Sequence, residues 1–256
     1  MKTLVIAEVG VNHDGHLSTA HQLVDAAVDS GADVVKFQIF DPADLATRYA
    51  KVAPYQASGA TGQIELLESL QLPRHGFEEL ALHCRERGAE FLATAFSPGE
   101  LHWLQLLGQR RVKVPSGEIT NLPFLRQAGS LALPILLSTG MSTLEEVETA
   151  VNALEETGLK RSLITVLHCT SAYPAPVSEL NLNALRTIEN ELGVGIGYSD
   201  HSAHPEISAV AVALGARVIE KHITLNTHAP GPDHSSSLEP DMFRSMVQMV
   251  RRVESA

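Results

Sequence analysis

The chain has 256 residues, the length of one large α/β domain or at most two small ones. With 44% apolar and 19% charged residues it can build a core, which excludes an intrinsically disordered chain. Nineteen Lys and Arg against thirty Asp and Glu give a formal charge of −11, which argues against a nucleic-acid or anionic-membrane surface.

The first predicted strand, Leu4–Ala7, meets an acidic residue at Glu8, too soon for the apolar stretch of a signal peptide. A predicted helix at Leu17–Ser30 stops at Ser30-Gly31, and a strand at Val34–Phe37 follows. The long connection from Ile39 to Leu72 carries Pro, Tyr, Gln and Gly-Ala-Thr-Gly, and a loop of that length is expected to be functional. Next come a helix at Pro73–Arg87, stopped by Gly88, and strands at Glu90–Ala93 and Arg111–Val114, with Trp103 and Leu101–Leu107 read as helix packing. The strand Pro134–Leu137 leads to a capping box at Ser142-Thr143-Leu144-Glu145 and a helix at Thr143–Thr157. Strands at Leu163–Leu167, Val194–Ile196 and Arg217–Glu220 then alternate with helices at Glu179–Glu191, Glu206–Leu214 and Asp241–Val253.

Eight strands, each followed by helix, predict an α/β fold: a single-domain (β/α)₈ TIM barrel over residues 1–256. The competing doubly wound sheet is disfavoured, because no GxGxxG or GxxxxGK[ST] follows the first strand. No apolar run approaches the roughly 20 residues that span a bilayer. Cys84 and Cys169 form neither a disulfide framework nor a CxxC pair. The expectation is a soluble, cytoplasmic protein.

Barrel chemistry sits at the C-terminal strand ends. Those ends carry Glu8, Lys36 and Gln38, Thr94, Lys113 with Ser116 and Glu118, Ser138, His168, Ser199-Asp200-His201, and Glu220 with His222. Period-two alternation puts Val34, Lys36 and Gln38 on one face, and likewise Val218, Glu220 and His222. If the valines face the interior, so do their charged neighbours, and a charge buried there needs a partner or a ligand. Cys169, with nothing cationic evident beside it, reads as a small buried hydrophobe.

Several blocks in order along the chain carry a family resemblance. They include Ala7-Glu8-Val9-Gly10-Val11-Asn12-His13-Asp14-Gly15, Val35-Lys36-Phe37-Gln38, Lys113-Val114-Pro115-Ser116-Gly117-Glu118 and Leu137-Ser138-Thr139-Gly140-Met141-Ser142. Others are Leu167-His168-Cys169-Thr170-Ser171-Ala172-Tyr173-Pro174, Gly197-Tyr198-Ser199-Asp200-His201, Ile219-Glu220-Lys221-His222 and Gly231-Pro232-Asp233-His234. The chain resembles the sialic acid synthase (N-acetylneuraminate synthase) family, which condenses phosphoenolpyruvate with an aldehydic amino sugar on a (β/α)₈ barrel and uses a divalent metal, Mn²⁺ or Mg²⁺.

The resemblance implies that Lys36 and Lys113, with Thr94, Ser116, Ser138 and Ser199, hold the phosphoenolpyruvate anion. Cations and hydroxyl donors suit its phosphate and carboxylate. It implies a metal at His201 and His222, imidazoles on neighbouring strand ends that leave coordination positions open. Glu8, Glu118 and Glu220 are the acid/base candidates, with Glu8 ranked as an acceptor contact and the base unassigned. Gln38, Tyr173 and Asp233 match acceptor positions, while Ser171 stands where some members carry Asn. The default acceptor is N-acetylmannosamine, and a legionaminate- or pseudaminate-type acceptor is the alternative. Competing readings are a metal-dependent sugar isomerase or hydrolase, and a non-catalytic sugar-acid-binding barrel or partner subunit. Relatives usually append a C-terminal antifreeze-like domain that this sequence does not show, so a homodimer or a separate capping protein is a possible partner.

Overall fold

Eight runs of alternating apolar side chains close a parallel sheet on itself. In the computed structural model, which describes residues 2–47, 49–51 and 62–256, the strands are β1 (Leu4–Gly10), β2 (Val34–Ile39), β3 (Glu90–Ala95), β4 (Val112–Val114), β5 (Ile135–Ser138), β6 (Ile164–Cys169), β7 (Gly195–Asp200) and β8 (Val218–His222). They pair in chain order, and β8 returns to β1 in the register Leu4↔Val218 through Glu8↔His222, so the predicted barrel is the observed one. Around it lie α1 (Leu17–Asp29), α2 (Pro42–Leu45), α3 (Gln63–Leu70), α4 (Arg74–Glu86), α5 (Pro98–Leu106), α6 (Leu122–Ser130), α7 (Leu144–Glu155), α8 (Ala184–Leu192), α9 (Pro205–Ala213) and α10 (Pro240–Glu254). Among the described residues, no helix is long and apolar enough to cross a membrane.

Local chemistry moves several predicted boundaries. The capping box lies one residue later than predicted: Thr143 Oγ1 accepts from Glu146 N at 3.3 Å, and Glu146 Oε2 accepts from Thr143 N at 2.8 Å. Both registers fit the S/T-x-x-E pattern, but the Ser142 hydroxyl turns back toward Gly140 O. The predicted helix Glu179–Glu191 starts only at Ala184, because Asn181 takes φ +44° and interrupts it. The connection after β2 folds into α2 and α3, which the sequence pattern did not reveal; its Pro54, Tyr55, Gln56 and Gly59-Ala60-Thr61 lie outside the described residues.

The larger core fills the space between barrel and helices. A smaller one plugs the barrel itself with Ile6, Val34, Leu92, Leu136, Leu167 and Val218. Two residues further along the same strands the plug gives way to Glu8, Lys36, Thr94, Ser138, Cys169 and Glu220, so one alternation supplies both the floor and the site above it. Gly197 completes the plug by being small, since a Cβ there would sit 2.4 Å from Leu167 Cδ2 and 2.7 Å from Val218 O. Gly197→Ala is expected to overpack this layer and cost about 1–3 kcal/mol. Urea unfolding checks it, and an unchanged midpoint would remove the plug's claim to tight packing.

Candidate active site

At the C-terminal mouth of the barrel a cavity of about 450 Å³ opens. All the predicted site residues except Glu118 border it: Glu8, Lys36, Gln38, Thr94, Lys113, Ser116, Ser138, Ser171, Tyr173, Ser199, His201, Glu220, His222 and Asp233. Glu118 is the correction. Beyond Pro115 the chain enters a short 3₁₀ turn, Ser116–Glu118, with three residues per turn, and the Glu118 carboxylate accepts from Asn121 Nδ2 at 2.7 Å outside the cavity. His168, also at a strand end, bonds Leu180 O at 2.7 Å through Nε2 and is structural.

The cavity floor is charged. Lys36 Nζ lies 2.9 Å from Glu8 Oε2 and 3.4 Å from Glu220 Oε2, and it donates to Thr94 Oγ1 at 3.0 Å. Lys113 Nζ donates to Ser138 Oγ at 2.5 Å and lies 3.6 Å from Glu220 Oε1, which also accepts from Ser199 Oγ at 2.8 Å. Burial alone would raise Glu220, but Lys113 and Lys36 hold its carboxyl down at about 2, so it is a fixed anion. Burial raises Glu8, with Lys36 opposing. Burial pulls Lys36 down, but Glu220 and Glu8 outweigh that and raise it, whereas Lys113 stays lowered by burial.

At one side of the cavity the backbone at Gly140 packs closely against the turn after β4 and the end of β6. Gly140 N donates to Ser116 Oγ at 2.9 Å, and that hydroxyl lies 3.4 Å from Cys169 Sγ. A Cβ on Gly140 would stand 2.2 Å from Ser171 Oγ and 2.9 Å from Ser116 Oγ. Gly140 has no side chain, and these hydroxyls occupy the space one would take. Across the cavity, Glu8 Oε1, Gln38 Nε2 and Asp233 Oδ2 converge on Gly10, each 3.2 to 3.4 Å from where its Cβ would be. Gly10 ends β1 at φ +57°, beside an irregularity in the β1–β2 register, which turns the strand away and leaves that corner polar and open. Gln38 Nε2 donates to Glu8 Oε1 at 3.1 Å. Burial beside Glu8 pushes Asp233 up to about 7.

His201 and His222 face each other with ring centroids 5.8 Å apart. His201 Nδ1 lies 2.7 Å from Thr170 O, an acceptor, so Nδ1 carries the hydrogen and Nε2 keeps its lone pair in the neutral ring. The Ser199 hydrogen goes to Glu220, leaving His201 Nε2 facing the Tyr173 hydroxyl at 3.3 Å. Burial, with His222 nearby, lowers His201 to about 4, and burial, with Lys36, lowers His222 to about 3. His222 Nδ1 is buried without a hydrogen bond, 3.8 Å from Asp233 Oδ2. Two neutral imidazoles, one with an unpartnered buried nitrogen, have the donor chemistry of an open metal site. No group of three or more His, Cys, Asp or Glu with metal-holding geometry occurs among the described residues.

The sequence reading missed an apolar wall on the β1–β3 side. Val11, Phe40, Leu66 and Leu70, backed by Leu45, Leu67 and Phe96, form a separate cluster against the cavity. It rests on α2 and α3, short helices whose pattern is too brief to stand out. Also unread was the ion pair Asp200–Lys221, which strand alternation alone would have placed outside the barrel.

A closed barrel with paired buried ammonium groups and carboxylates beneath a polar pocket has the make-up of a barrel enzyme's active site. The chain belongs to the NeuB family, which it matches over residues 23–256. It is 45% identical over 258 residues to N,N'-diacetyllegionaminic acid synthase of Campylobacter jejuni, covering 100% of this chain and 77% of that protein. The enzyme of the same name from Legionella pneumophila is 41% identical, over 100% of this chain and 73% of its own length. Among solved structures, the N-acetylneuraminic acid synthetase of Leptospira borgpetersenii superposes with a TM-score of 0.89 at 31% identity, covering 100% of this chain and 85% of that one. The chain is therefore a phosphoenolpyruvate-dependent, carbon–carbon bond-forming synthase of the nonulosonic acid type, and the isomerase, hydrolase and non-catalytic readings fall away.

Gly140→Ala should push aside the cavity-lining hydroxyls of Ser171 and Ser116 and lower kcat/KM for phosphoenolpyruvate about 100-fold, since displacing a bound group by about 1 Å costs that much. Its thermal midpoint should stay near wild type. Lys113→Met should lower the same constant about 100-fold or more, because it deletes a fixed cation in a water-poor site. Steady-state kinetics with varied phosphoenolpyruvate reads both, and unchanged constants would move the anion elsewhere.

Proposed function

We propose that this enzyme joins phosphoenolpyruvate to a six-carbon aldose carrying two acetamido groups, giving a legionaminate-type nonulosonic acid and phosphate. The observation that carries the reading is the 45% identity, over the whole barrel, to an enzyme named for the N,N'-diacetyl product. Removing the three carbons of phosphoenolpyruvate from that nine-carbon product leaves a hexose with both acetamido groups. This replaces N-acetylmannosamine as the first choice of acceptor. The apolar wall supports it: a second acetamido methyl needs an apolar surface, and Leu45, Leu67 and Phe96 offer one at the cavity edge.

In this reading the anion lies over Lys36 and Lys113, with Ser116 and Ser138 receiving one of its charged ends. Its methylene carbon then faces the corner of Glu8, Gln38 and Asp233, where the acceptor's hydroxyls and aldehyde sit. Carbon 3 attacks the aldehyde carbon, water adds at carbon 2, and phosphate leaves with its bridging oxygen, so one aldose and one water are consumed per phosphate released. Asp233, at about 7, holds a proton near neutral pH and delivers it toward the new alkoxide. Glu220, fixed as an anion, keeps both ammonium groups aimed at the donor.

Synthases of this family are metal-dependent. His201 and His222 would hold the ion, and a divalent cation there supplies Lewis-acid polarisation of a carbonyl and a more acidic water. Imidazole donors favour Mn²⁺ over Mg²⁺. A second copy or a separate capping protein over the mouth is supported by Met141, which borders the cavity with 84% of its surface exposed. A cytoplasmic location fits two cysteines that are both free and buried.

Phosphate release should be followed with phosphoenolpyruvate, Mn²⁺ and either 2,4-diacetamido-2,4,6-trideoxymannose or N-acetylmannosamine. The diacetamido sugar should give a kcat/KM about tenfold or more higher, and Leu67→Gln should erode that advantage. Release with neither sugar, or a preference for N-acetylmannosamine, would overturn the acceptor assignment. Inorganic phosphate alone should raise the thermal midpoint, by about 2.7 kcal/mol of stabilisation at 100 times its Kd, and no shift would count against the anion site.

A further inference from the structure

Each imidazole at the cavity mouth is preceded in sequence by a charged residue on the opposite face of its strand. Before His201 stands Asp200, and before His222 stands Lys221. The two are register partners in the β7–β8 ladder, their side chains are 0% exposed, and Lys221 Nζ lies 3.0 Å from Asp200 Oδ2. Neither borders the cavity.

Their remaining contacts all run to the turn after His201 and to α9. Asp200 Oδ1 accepts from Ser202 N at 2.9 Å and from Ser202 Oγ at 2.7 Å, and Oδ2 accepts from Ser208 Oγ at 2.8 Å. Lys221 Nζ donates to Ser202 O at 2.5 Å. One ion pair thus ties together the end of β7, the turn beyond it, the first turns of α9, and β8. A fully buried pair is weak evidence for stability, since apolar residues of equal volume often hold a fold as well. What apolar residues lack is direction. The charged pair, with every contact angular, fixes how far β7 and β8 extend relative to each other, and so the spacing of the two rings.

We propose that Asp200 and Lys221 are positioning residues that set His201 and His222 at metal-binding separation. The proposal rests on the reading of that histidine pair as the metal site. Asp200→Asn combined with Lys221→Met removes both charges, keeps an acceptor for Ser202 N and preserves side-chain length. This double variant should fold, with a thermal midpoint near wild type by circular dichroism. Its Mn²⁺ dissociation constant, read from the electron paramagnetic resonance signal of free Mn²⁺, should rise about 10- to 100-fold, the usual cost of losing groups that orient ligands. Phosphate binding by calorimetry should stay within about twofold, because the lysines that receive it are on other strands. If the double variant does not fold, Ser208→Ala removes one strut with the charges still paired, and should weaken Mn²⁺ binding severalfold. A folded variant with wild-type Mn²⁺ affinity overturns the positioning role. A wild-type protein that binds no Mn²⁺ overturns the metal reading and the proposal together.

Discussion

The site depends on burying two ammonium groups and two carboxylates in one layer of the barrel. Lys36, Lys113, Glu8 and Glu220 are each at most 6% exposed, and none could stay charged there alone. Lys36 bridges both carboxylates, while Glu220 bridges both lysines, so removing Lys36 strands Glu8 and removing Glu220 strands Lys113. This mutual dependence makes the upper layer rigid without an apolar core. The plug of Ile6, Val34, Leu92, Leu136, Leu167 and Val218 beneath it closes the barrel from below and keeps the dielectric low.

Around that layer the cavity divides by chemistry. The β4–β6 side is small, donor-rich and lined by hydroxyls. The β1, β2 and β8 side gathers two carboxylates and an amide, groups suited to sugar hydroxyls. Two glycines mark the two halves: Gly140 lets the Ser116 and Ser171 hydroxyls approach the backbone closely, and Gly10 lets the strand turn where Glu8, Gln38 and Asp233 meet. The apolar wall from α2 and α3 extends that side outward, so this half of the cavity is a graded surface, polar around Glu8 and apolar further out.

The barrel and most of the cavity lining were legible in the sequence for a simple reason. Buried parallel strands show as short β-branched runs between helix stops, and period two then says which strand-end residues share the interior with Val34 and Val218. The same rule stops working where a strand ends. Glu118 lies beyond Pro115, in a turn that repeats every three residues, so its place near a strand end in the sequence does not carry its side chain into the cavity. Short helices fail for the opposite reason: α2 has four residues and α3 eight, too few to show a periodic face. Asp200 and Lys221 were in plain view inside recognised motifs, but their neighbours His201 and His222 drew the chemical reading, and only coordinates show what the outward-facing partners touch.

Charge balance links the halves. Phosphoenolpyruvate brings about three negative charges, one on carboxylate and up to two on phosphate. In the proposed placement Lys36 and Lys113 meet it already paired with Glu220, which is held as an anion. An incoming anion favours the ammonium form of Lys113, which burial otherwise weakens, and the protonated form of Glu8, which burial already favours. Both changes add positive charge, yet two lysines against Glu220 and the donor still leave the cavity negative. The protein adds no further cation from its histidines, because burial keeps His201 and His222 neutral down to about 4 and 3. Holding imidazoles neutral beside a negative cavity is costly unless their lone pairs are used, and in the proposed reading a divalent cation would both use them and cancel the remaining charge.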